Sequence, residues 1–411
     1  MTGWPKVQLS QLGAGGRAFA MGPFGSRIKT ENFRSSGVPV LRGKNLGGNR
    51  FDDSDVVFVD QAKAEELAAS IARPGDLVFT HRGTLGQVAL VPRRPRYPLY
   101  LVSQSQMKAT FDEERVLPEY VYYWFCSPEG QHALLRNTSQ TGVPAISQPL
   151  TSLQAIAIPL PPLAEQRAIA EVLGALDDKM EANRRVARSL EQRLSVMFLQ
   201  FGFDEVGDAG DDGVALREII EVNPPRKKIP LEVAPYIDMA ALPMDSALVA
   251  TPAFRKPQSG TRFVNSDTLM ARITPCLENG KVAFVDCLAS TEVGIGSTEF
   301  LVLRPREPLP AQFAYFLARS ERFSTYAVQH MSGSSGRQRC PAEAIERYNI
   351  ARPGMTDLGV FRELAGPAFA MMRATVNESV VLADLRDTLL PKLLSGELRV
   401  RDAERLVGEA V

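Results

Sequence analysis

Two long stretches of the chain carry apolar residues at alternating intervals of four and three positions. The first stretch begins at Ile169 and the second at Phe361. This spacing is typical of the apolar seam of a coiled coil, so it predicts two long helices that pair through these stripes. The predicted seam positions are Ile169, Leu173, Leu176, Met180, Asn183, Ala187, Leu190 and Leu194 in the first stretch, and Ala368, Met371, Leu382, Leu385 and Leu389 in the second.

An alternative interpretation of each stripe is an amphipathic helix that packs on its own domain. The coiled coil is favoured because the stripe occurs twice, each time after a globular segment. Pro161-Pro162 and Glu165 are typical of a helix start, whereas Gly202 and Pro391 predict stops or kinks. A first helix of about 38 residues would be about 57 Å long.

The second half of the chain repeats the order of motifs in the first half. The segment from Asp76 to Arg82 is echoed from Asp267, and Leu117-Pro is echoed by Leu309-Pro. Further on, a glycine at position 142 matches one at position 336. The repeat predicts two domains of similar fold.

Each copy contains short apolar runs bounded by glycine and proline, which predict strands. Longer segments at 117–136 and 309–329 predict one helix each, so each copy is expected to be a mixed α/β domain. The predicted domains are 1–158 and 204–353, the predicted helical segments are 159–203 and 354–411, and the acidic residues from Asp204 to Gly213 form the predicted linker.

The composition is that of an ordinary globular protein, with 45% apolar and 23% charged residues in a chain of 411. That length exceeds what one core usually organises, which agrees with two domains. The longest apolar runs are too short to span a bilayer and the first residues lack a signal-peptide pattern, so we expect a cytoplasmic protein with no membrane partner. Four cysteines without a CxxC pair and three histidines argue against a disulfide framework and against a metal site.

Basic and acidic residues number 47 each, so any charged function must be local. Residues 1–150 hold 17 basic and 13 acidic side chains, whereas the following helical segment is slightly acidic. Most basic residues are arginines, which suit bidentate recognition of phosphate or guanine. This excess is also within ordinary surface variation, so charge alone does not decide for nucleic acid.

One motif resembles part of a methyltransferase site. Asn223-Pro-Pro is similar to the start of an amino-methyltransferase motif that holds the amine of a flipped base. Arg226 occupies the position of the stacking aromatic residue, and no glycine-rich cofactor turn follows a strand upstream. A turn at a strand edge is therefore the favoured interpretation.

Two further motifs resemble catalytic sites without matching them. Asp267, Glu278 and Lys281 are similar to a metal-dependent nuclease site, but the expected Glu-x-Lys spacing is lengthened by one residue. Gly333-Ser-Ser-Gly lacks the spacing of a nucleophile elbow. No catalytic residue is predicted.

Several stretches resemble the specificity (S) subunit of type I restriction-modification enzymes, across nearly the whole chain. Two departures concern the end of the first helix, Met197-Phe-Leu-Gln-Phe-Gly-Phe, and the start of the second, Arg352-Pro-Gly-Met. The stretches that carry the resemblance are Gly22-Pro-Phe-Gly-Ser, Gly37-Val-Pro-Val-Leu-Arg-Gly-Lys-Asn-Leu, Gly75-Asp-Leu-Val-Phe-Thr, Ile158-Pro-Leu-Pro-Pro-Leu-Ala-Glu-Gln-Arg-Ala-Ile, Asp267-Thr-Leu-Met-Ala-Arg-Ile-Thr-Pro-Cys-Leu-Glu-Asn-Gly-Lys and Leu385-Arg-Asp-Thr-Leu-Leu-Pro-Lys-Leu-Leu-Ser-Gly-Glu-Leu.

The resemblance implies two target-recognition domains, each reading one half of a split DNA sequence. The two helices would pair antiparallel, giving a pseudo-twofold internal repeat, and would set the gap between the half-sites. The helical regions would bind methyltransferase subunits, usually two, and restriction subunits would join that core. S-adenosylmethionine, ATP and Mg²⁺ would then belong to the partner subunits, with no cofactor on this chain.

Given this resemblance, we expect DNA contacts from basic residues in glycine-flanked loops. The alternative function is a DNA-modifying enzyme, a fused nuclease or methyltransferase, with unrecognised motifs. The predicted DNA-contacting residues are Arg27, Lys29, Arg42, Lys44 and Arg82 in the first domain, and Arg272, Lys281, Arg337 and Arg339 in the second.

Overall fold

The computed structural model describes residues 4–139, 142–207, 213–225, 232–256, 259–334 and 336–410. The chain forms two compact units, one made of Met1–Asp178 with Leu382–Val411 and the other of Lys179–Val381. Residues 208–212 of the predicted linker lie outside the described residues. In the described part of the chain, no helix is both long and apolar enough to cross a membrane.

The part of the first unit that comes first in the chain contains twelve described strands, four helices and the start of a fifth, α5. The strands are β1 (Lys6–Gln8), β2 (Phe19–Met21), β3 (Val38–Leu41), β4 (Val57–Val59), β5 (Ile71–Ala72), β6 (Leu77–Thr80), β7 (Val88–Leu90), β8 (Tyr100–Val102), β9 (Gln106–Ala109), β10 (Thr138–Ser139), β11 (Ala145–Ile146) and β12 (Ala157–Pro159). The helices are α1 (Gln61–Glu66), α2 (Pro118–Cys126), α3 (Pro128–Leu135), α4 (Pro149–Gln154) and α5 (Leu163–Gln200).

Two four-stranded sheets form the centre of the first unit. One has the order β2-β9-β6-β7 and is antiparallel throughout, and the other has the order β4-β3-β8-β5 with β3 and β8 parallel. All side chains of β3, β6, β8 and β9 are buried, because both faces of these short apolar strands are covered. Two-stranded pairs β1-β12 and β10-β11 complete the unit.

The second unit contains ten described strands. The chain then returns to the first unit, where it forms the last helix, α11. The strands are β13 (Gly213–Ala215), β14 (Ile220–Val222), β15 (Ala234–Ile237), β16 (Ala253–Arg255), β17 (Thr261–Phe263), β18 (Thr268–Ala271), β19 (Val282–Phe284), β20 (Gly294–Gly296), β21 (Phe300–Pro305) and β22 (Asn349–Ala351). The helices are α6 (Leu216–Ile219), α7 (Phe313–Arg319), α8 (Glu321–Gln329), α9 (Ala342–Glu346), α10 (Met355–Ser395) and α11 (Val400–Ala410).

The sheets of the second unit repeat the strand order of the first. They have the orders β14-β21-β18-β19 and β16-β15-β20-β17, again with one parallel pair, β15 and β20, and a separate β13-β22 pair. Gly142 and Gly336 have φ angles of 81° and 80°, a left-handed conformation that favours glycine. The predicted internal repeat and the mixed α/β class are confirmed.

The segments 117–136 and 309–329 differ from the prediction of one helix each. The first is broken at Ser127, whose Oγ accepts a hydrogen bond from the Gly130 amide and caps α3. The second is broken at Ser320, whose Oγ accepts from the Phe323 amide and caps α8. Serine at an N-cap begins a new helix instead of continuing the previous one, so each predicted helix is a pair of short helices.

The two long helices pack antiparallel. In the first unit, Arg386 of α10 donates to Asp177 of α5 over 2.9 Å. In the second unit, Asn183 Nδ2 donates to the Glu378 carboxylate over 2.7 Å, and this hydrogen bond lowers the pKa of Glu378. In the same unit Lys179 lies 3.1 Å from Glu378 and Asn183 donates to the Thr375 backbone oxygen, so residue numbers fall along α10 as they rise along α5.

The first stretch of predicted seam residues lies along the packed side of α5. Ile169, Leu173, Leu176, Met180, Asn183 and Leu194 are buried, and Ala187 and Leu190 are partly buried. In the second stretch Leu382 and Leu389 are buried, and Ala368 and Leu385 are partly buried.

The prediction for Met371 is wrong. Its side chain is 54% exposed, whereas the neighbouring Met372 is 1% exposed. The buried positions here are Phe361, Ala365, Phe369 and Met372, because this half of α10 packs aromatic residues into the core of its own unit. These four positions are spaced by four, four and three residues, and this eleven-residue interval departs from the heptad repeat.

Of the stop or kink predicted at Pro391, the stop is absent, since α10 continues to Ser395. A helix-interior proline removes one backbone hydrogen bond, but Leu389, Leu390, Leu393 and Leu394 around it are all buried. The packing of these leucines accounts for the continued helix.

Candidate nucleic-acid interface

The first unit has an open cleft of about 420 Å³ where loops following several strands meet. The end of β6, the segment before β7 and the β8–β9 turn contribute most of its walls. None of the described residues that line it is acidic. They are Ile28, Lys29, Thr30, Phe33, Arg42, Gly43, Thr80, Arg82, Thr84, Gln87, Ser103, Gln104, Ser105 and Gln106.

Hydrogen bonds between polar side chains fix the floor of this first cleft. Thr80 Oγ1 donates to Gln87 Oε1 over 2.8 Å, and Gln106 Nε2 donates to Thr80 Oγ1 over 3.3 Å. The Ser103 hydroxyl donates to Gln106 Oε1. Such a network holds amide and hydroxyl groups in set directions, as recognition of a polar ligand requires.

Three of the predicted DNA-contacting residues line the first cleft: Lys29, Arg42 and Arg82. The Arg82 side chain is exposed and has no acidic partner within the described part of the chain. Lys29 lies 3.6 Å from Glu31 in an exposed pair, which contributes little stability. Burial lowers the pKa of the adjacent His81, so this imidazole adds no positive charge at neutral pH. The positive field of the cleft therefore comes from these three side chains.

The other two predicted residues of the first domain are outside the cleft lining. Arg27 lies 3.8 Å from Glu66, and Lys44 forms an ion pair with Asp55. The hydrogen bond that Lys44 donates to Asp55 is the main cause of the lowered pKa of Asp55. Both cations are exposed, so they are available at the surface without belonging to the cleft.

A second cleft, of about 240 Å³, lies in the second unit beside the turn that corresponds to the β8–β9 turn of the first unit. The β20–β21 turn takes the position of the β8–β9 turn, and Arg272 follows β18 as His81 follows β6. No described residue in its lining is acidic. The lining consists of Asn223, Pro224, Thr261, Arg262, Arg272, Thr298 and Phe300.

Glu299 lies behind this second cleft and is shared by two of the predicted residues. Arg339 donates to both carboxylate oxygens, with distances of 2.6 to 3.0 Å. Arg272 Nε lies 3.9 Å from the same carboxylate. Hydrogen bonding and charge from Arg339 lower the pKa of Glu299, so it is ionised at neutral pH.

The last two predicted residues are placed differently. The Lys281 ammonium donates to the Met239 carbonyl oxygen over 2.7 Å, so this lysine is engaged within the protein. Arg337 is exposed in the segment from Ser332 to Arg339, whose two end residues form an antiparallel bridge. Neither residue lines the second cleft.

Sequence reasoning missed several polar residues of the clefts, among them Arg262 and Gln104. Arg262 lies in β17 between Thr261 and the fully buried Phe263, and strand alternation would have placed it on the opposite face from that phenylalanine. Gln104 lies in the β8–β9 turn, and its backbone oxygen contacts His81 Nε2 at 3.1 Å. Gln104 is uncharged and lies outside a strand, so neither charge nor strand alternation could have indicated it.

The motifs that resemble catalytic sites have structural partners. Asn223 follows β14, and its side chain accepts from the Val302 amide over 3.0 Å. Asp267 is fully buried and bound by Arg304, while Lys281 donates to a backbone oxygen. Arg226 and Ser335 lie outside the described residues, and within the described ranges no group of three metal-binding side chains occurs.

Part of the chain matches a known protein family. A family model described as the type I restriction modification DNA specificity domain matches residues 24–192. This segment includes the first cleft and most of α5.

Two curated relatives differ in how much they share. The specificity subunit of the type I restriction enzyme EcoEI from Escherichia coli is 30% identical over 151 residues, which are 36% of this chain and only 25% of that subunit. The specificity subunit of the type I restriction enzyme MjaIX from Methanocaldococcus jannaschii is 22% identical over 410 residues, covering 91% of this chain and 90% of its own length.

A solved structure extends the similarity of fold to both units. The S subunit of a type I restriction-modification system from M. genitalium covers 95% of this chain and 96% of its own length, with a TM-score of 0.55 and 14% identity. The family model, the two curated relatives and this fold agree. The chain is therefore similar to type I restriction-modification specificity subunits, in sequence over residues 24–192 and in fold over both units.

Proposed function

We propose that this chain is the non-catalytic DNA-recognition subunit of a type I restriction-modification enzyme. Each domain reads one half of a bipartite DNA target, and the paired helices set the gap between the halves. The observation that carries this proposal is that each unit has, beside the corresponding turn, a cleft whose described lining is free of acidic residues and contains arginine. Arginine side chains in a polar cleft suit contacts to phosphates and to base edges.

The paired helices are proposed to bind two methyltransferase subunits, with restriction subunits joining that core. The complex is proposed to act in the cytoplasm. S-adenosylmethionine, ATP and Mg²⁺ would be held by the partner subunits. A DNA-modifying enzyme is not favoured, because the relatives described above are named specificity subunits and Asp267 and Lys281 have structural partners.

The proposal is tested by measuring DNA binding of the full chain over a range of salt concentrations. The variants are Lys29→Ala, Arg42→Ala and Arg82→Ala. A lost phosphate contact reduces the slope of log K against log salt by about 0.9 and weakens all sequences alike. A lost base contact costs about 1–3 kcal/mol and relaxes one position of the target.

The matched control is Lys6→Ala, which removes one exposed, paired cation far along the chain from the cleft loops. It changes the net charge as much as the test variants do. We expect its affinity and salt slope to equal those of the wild type. Unchanged binding in all three cleft variants, or equal losses in the control, would contradict the assignment.

A further inference from the structure

The backbone of Arg272 is held from both sides in the second cleft. Its amide donates to the Glu299 carbonyl oxygen over 3.0 Å, and its own carbonyl oxygen accepts from the Cys340 amide over 2.8 Å. The side chain lines the cleft. Among the described residues, its guanidinium makes no hydrogen bond, and its Nε atom is buried without a hydrogen-bond partner.

Glu299 keeps this guanidinium available. Both carboxylate oxygens of Glu299 already accept hydrogen bonds from Arg339, whose Nη1 atom also lies 3.5 Å from the Arg337 carbonyl oxygen. Arg272 approaches the carboxylate only with its Nε edge, at 3.9 Å. Arg339 therefore acts as a structural clamp, while the two terminal nitrogens of Arg272 stay open to a ligand.

The corresponding positions of the first unit have different chemistry. Ser105 occupies the position of Glu299, and His81, which is buried and neutral, occupies that of Arg272. The first cleft has a floor of glutamine, threonine and serine side chains. The two clefts thus present different side chains to a ligand.

We propose that Arg272 reads a guanine in the half-site of the second domain, and that Glu299, held by Arg339, positions it. This inference rests on the proposed function. Two parallel N–H groups of arginine match the O6 and N7 acceptors of guanine, and no other base presents this pair in the major groove. A second arginine, Arg262, lines the same cleft and supplies charge beside the reading position.

The test is selection of bound sequences by the full chain from a random duplex library. The wild type is expected to select a bipartite target with a guanine in one half. Arg272→Lys keeps the charge but loses the two-pronged donor. It should reduce the preference for that guanine by roughly 10- to 100-fold, leaving the other half of the target unchanged.

Glu299→Gln keeps an acceptor for Arg339 but removes the charge that faces Arg272. Glu299→Gln should reduce the base preference at the same single position of the target. A merely structural defect would instead reduce binding to all sequences. The control is Arg322→Lys, an exposed arginine 3.8 Å from Asp204 and outside the cleft lining. It should leave the selected target unchanged.

The outcomes separate the two proposals. If the wild type selects no sequence at all, the proposed function fails. If it selects a target that lacks guanine in one half, or if Arg272→Lys weakens all sequences equally, DNA recognition stands and the inference about Arg272 is overturned. Amide hydrogen exchange in β18 establishes that each variant is folded, so a loss of preference is not mistaken for unfolding.

Discussion

Removal of the Asp267 carboxylate should destabilise the second unit strongly. This side chain is fully buried and accepts hydrogen bonds from Arg304 Nε and Nη2 over 2.7 and 2.6 Å. It also accepts from the Val264 amide over 2.8 Å. In Asp267→Ala, the Arg304 guanidinium and this amide both lose their partner inside the protein.

The expected cost is about 3–5 kcal/mol, the range for breaking one side of a buried, hydrogen-bonded ion pair. For a unit of about 200 residues, each kcal/mol lowers Tm by about 2–4 °C, so the transition should fall by about 6–20 °C. Amide hydrogen exchange in β18 reports this loss locally. The first unit keeps its own buried pair, Lys108 with Asp76 at 2.9 Å, and serves as the internal reference.

The double variant Asp267→Ala with Arg304→Met removes both charges. It should be more stable than Asp267→Ala alone, because no unpaired guanidinium remains against the emptied position. Arg306→Met, two residues further along and exposed, is the control and should change stability by less than about 0.5 kcal/mol. If the stability losses caused by the substitutions at 267 and 304 were simply additive, the buried pair would not be what holds β18 in place.

Two further predictions concern ionisable groups. Because Arg339 lowers the pKa of Glu299 below its usual 4.5, their pair stabilises the fold fully above that pH and loses its effect as pH falls through the lowered value. The advantage in Tm of the wild type over Glu299→Gln should therefore shrink only below about pH 4.5. Burial raises the pKa of the Cys340 thiol to about 11, so it should resist alkylation at pH 8 until the protein is unfolded. Modification of Cys340 in the folded protein, followed by mass spectrometry, would contradict this placement.

Patterns within one segment were predictable from the sequence. The apolar spacing from Ile169 predicts α5 because burial of one helix face requires such intervals. The Gly142 and Gly336 match is detectable because a left-handed backbone favours the same residue type in both copies. Met371 and Met372 could not be separated in this way, since adjacent apolar residues fit either phase of the stripe and the partner surface decides between them.

The composition of the clefts depends on residues far apart in the sequence. Glu299 meets Arg272 and Arg339 only because β21 pairs with β18 and the segment ending at 339 bonds back to the residues after β18. A list of basic residues could not predict that Arg339 is clamped and Arg272 is open. That distinction follows from the pairing of strands, which no local spacing specifies.

The buried amide of Asn183 has a consequence for how the two long helices can align. An apolar seam tolerates a slip of one heptad, because one hydrocarbon side chain replaces another. Asn183 makes hydrogen bonds to Thr375, Glu378 and Ser379, and a slip of seven residues would bring Ala368, Met371 and Met372 to those places. The amide would then lie buried without its side-chain acceptors, at a cost of about 1–3 kcal/mol. Shifted alignments of the two helices are therefore less stable. Around Asn183, α5 and α10 can pair stably in only one register.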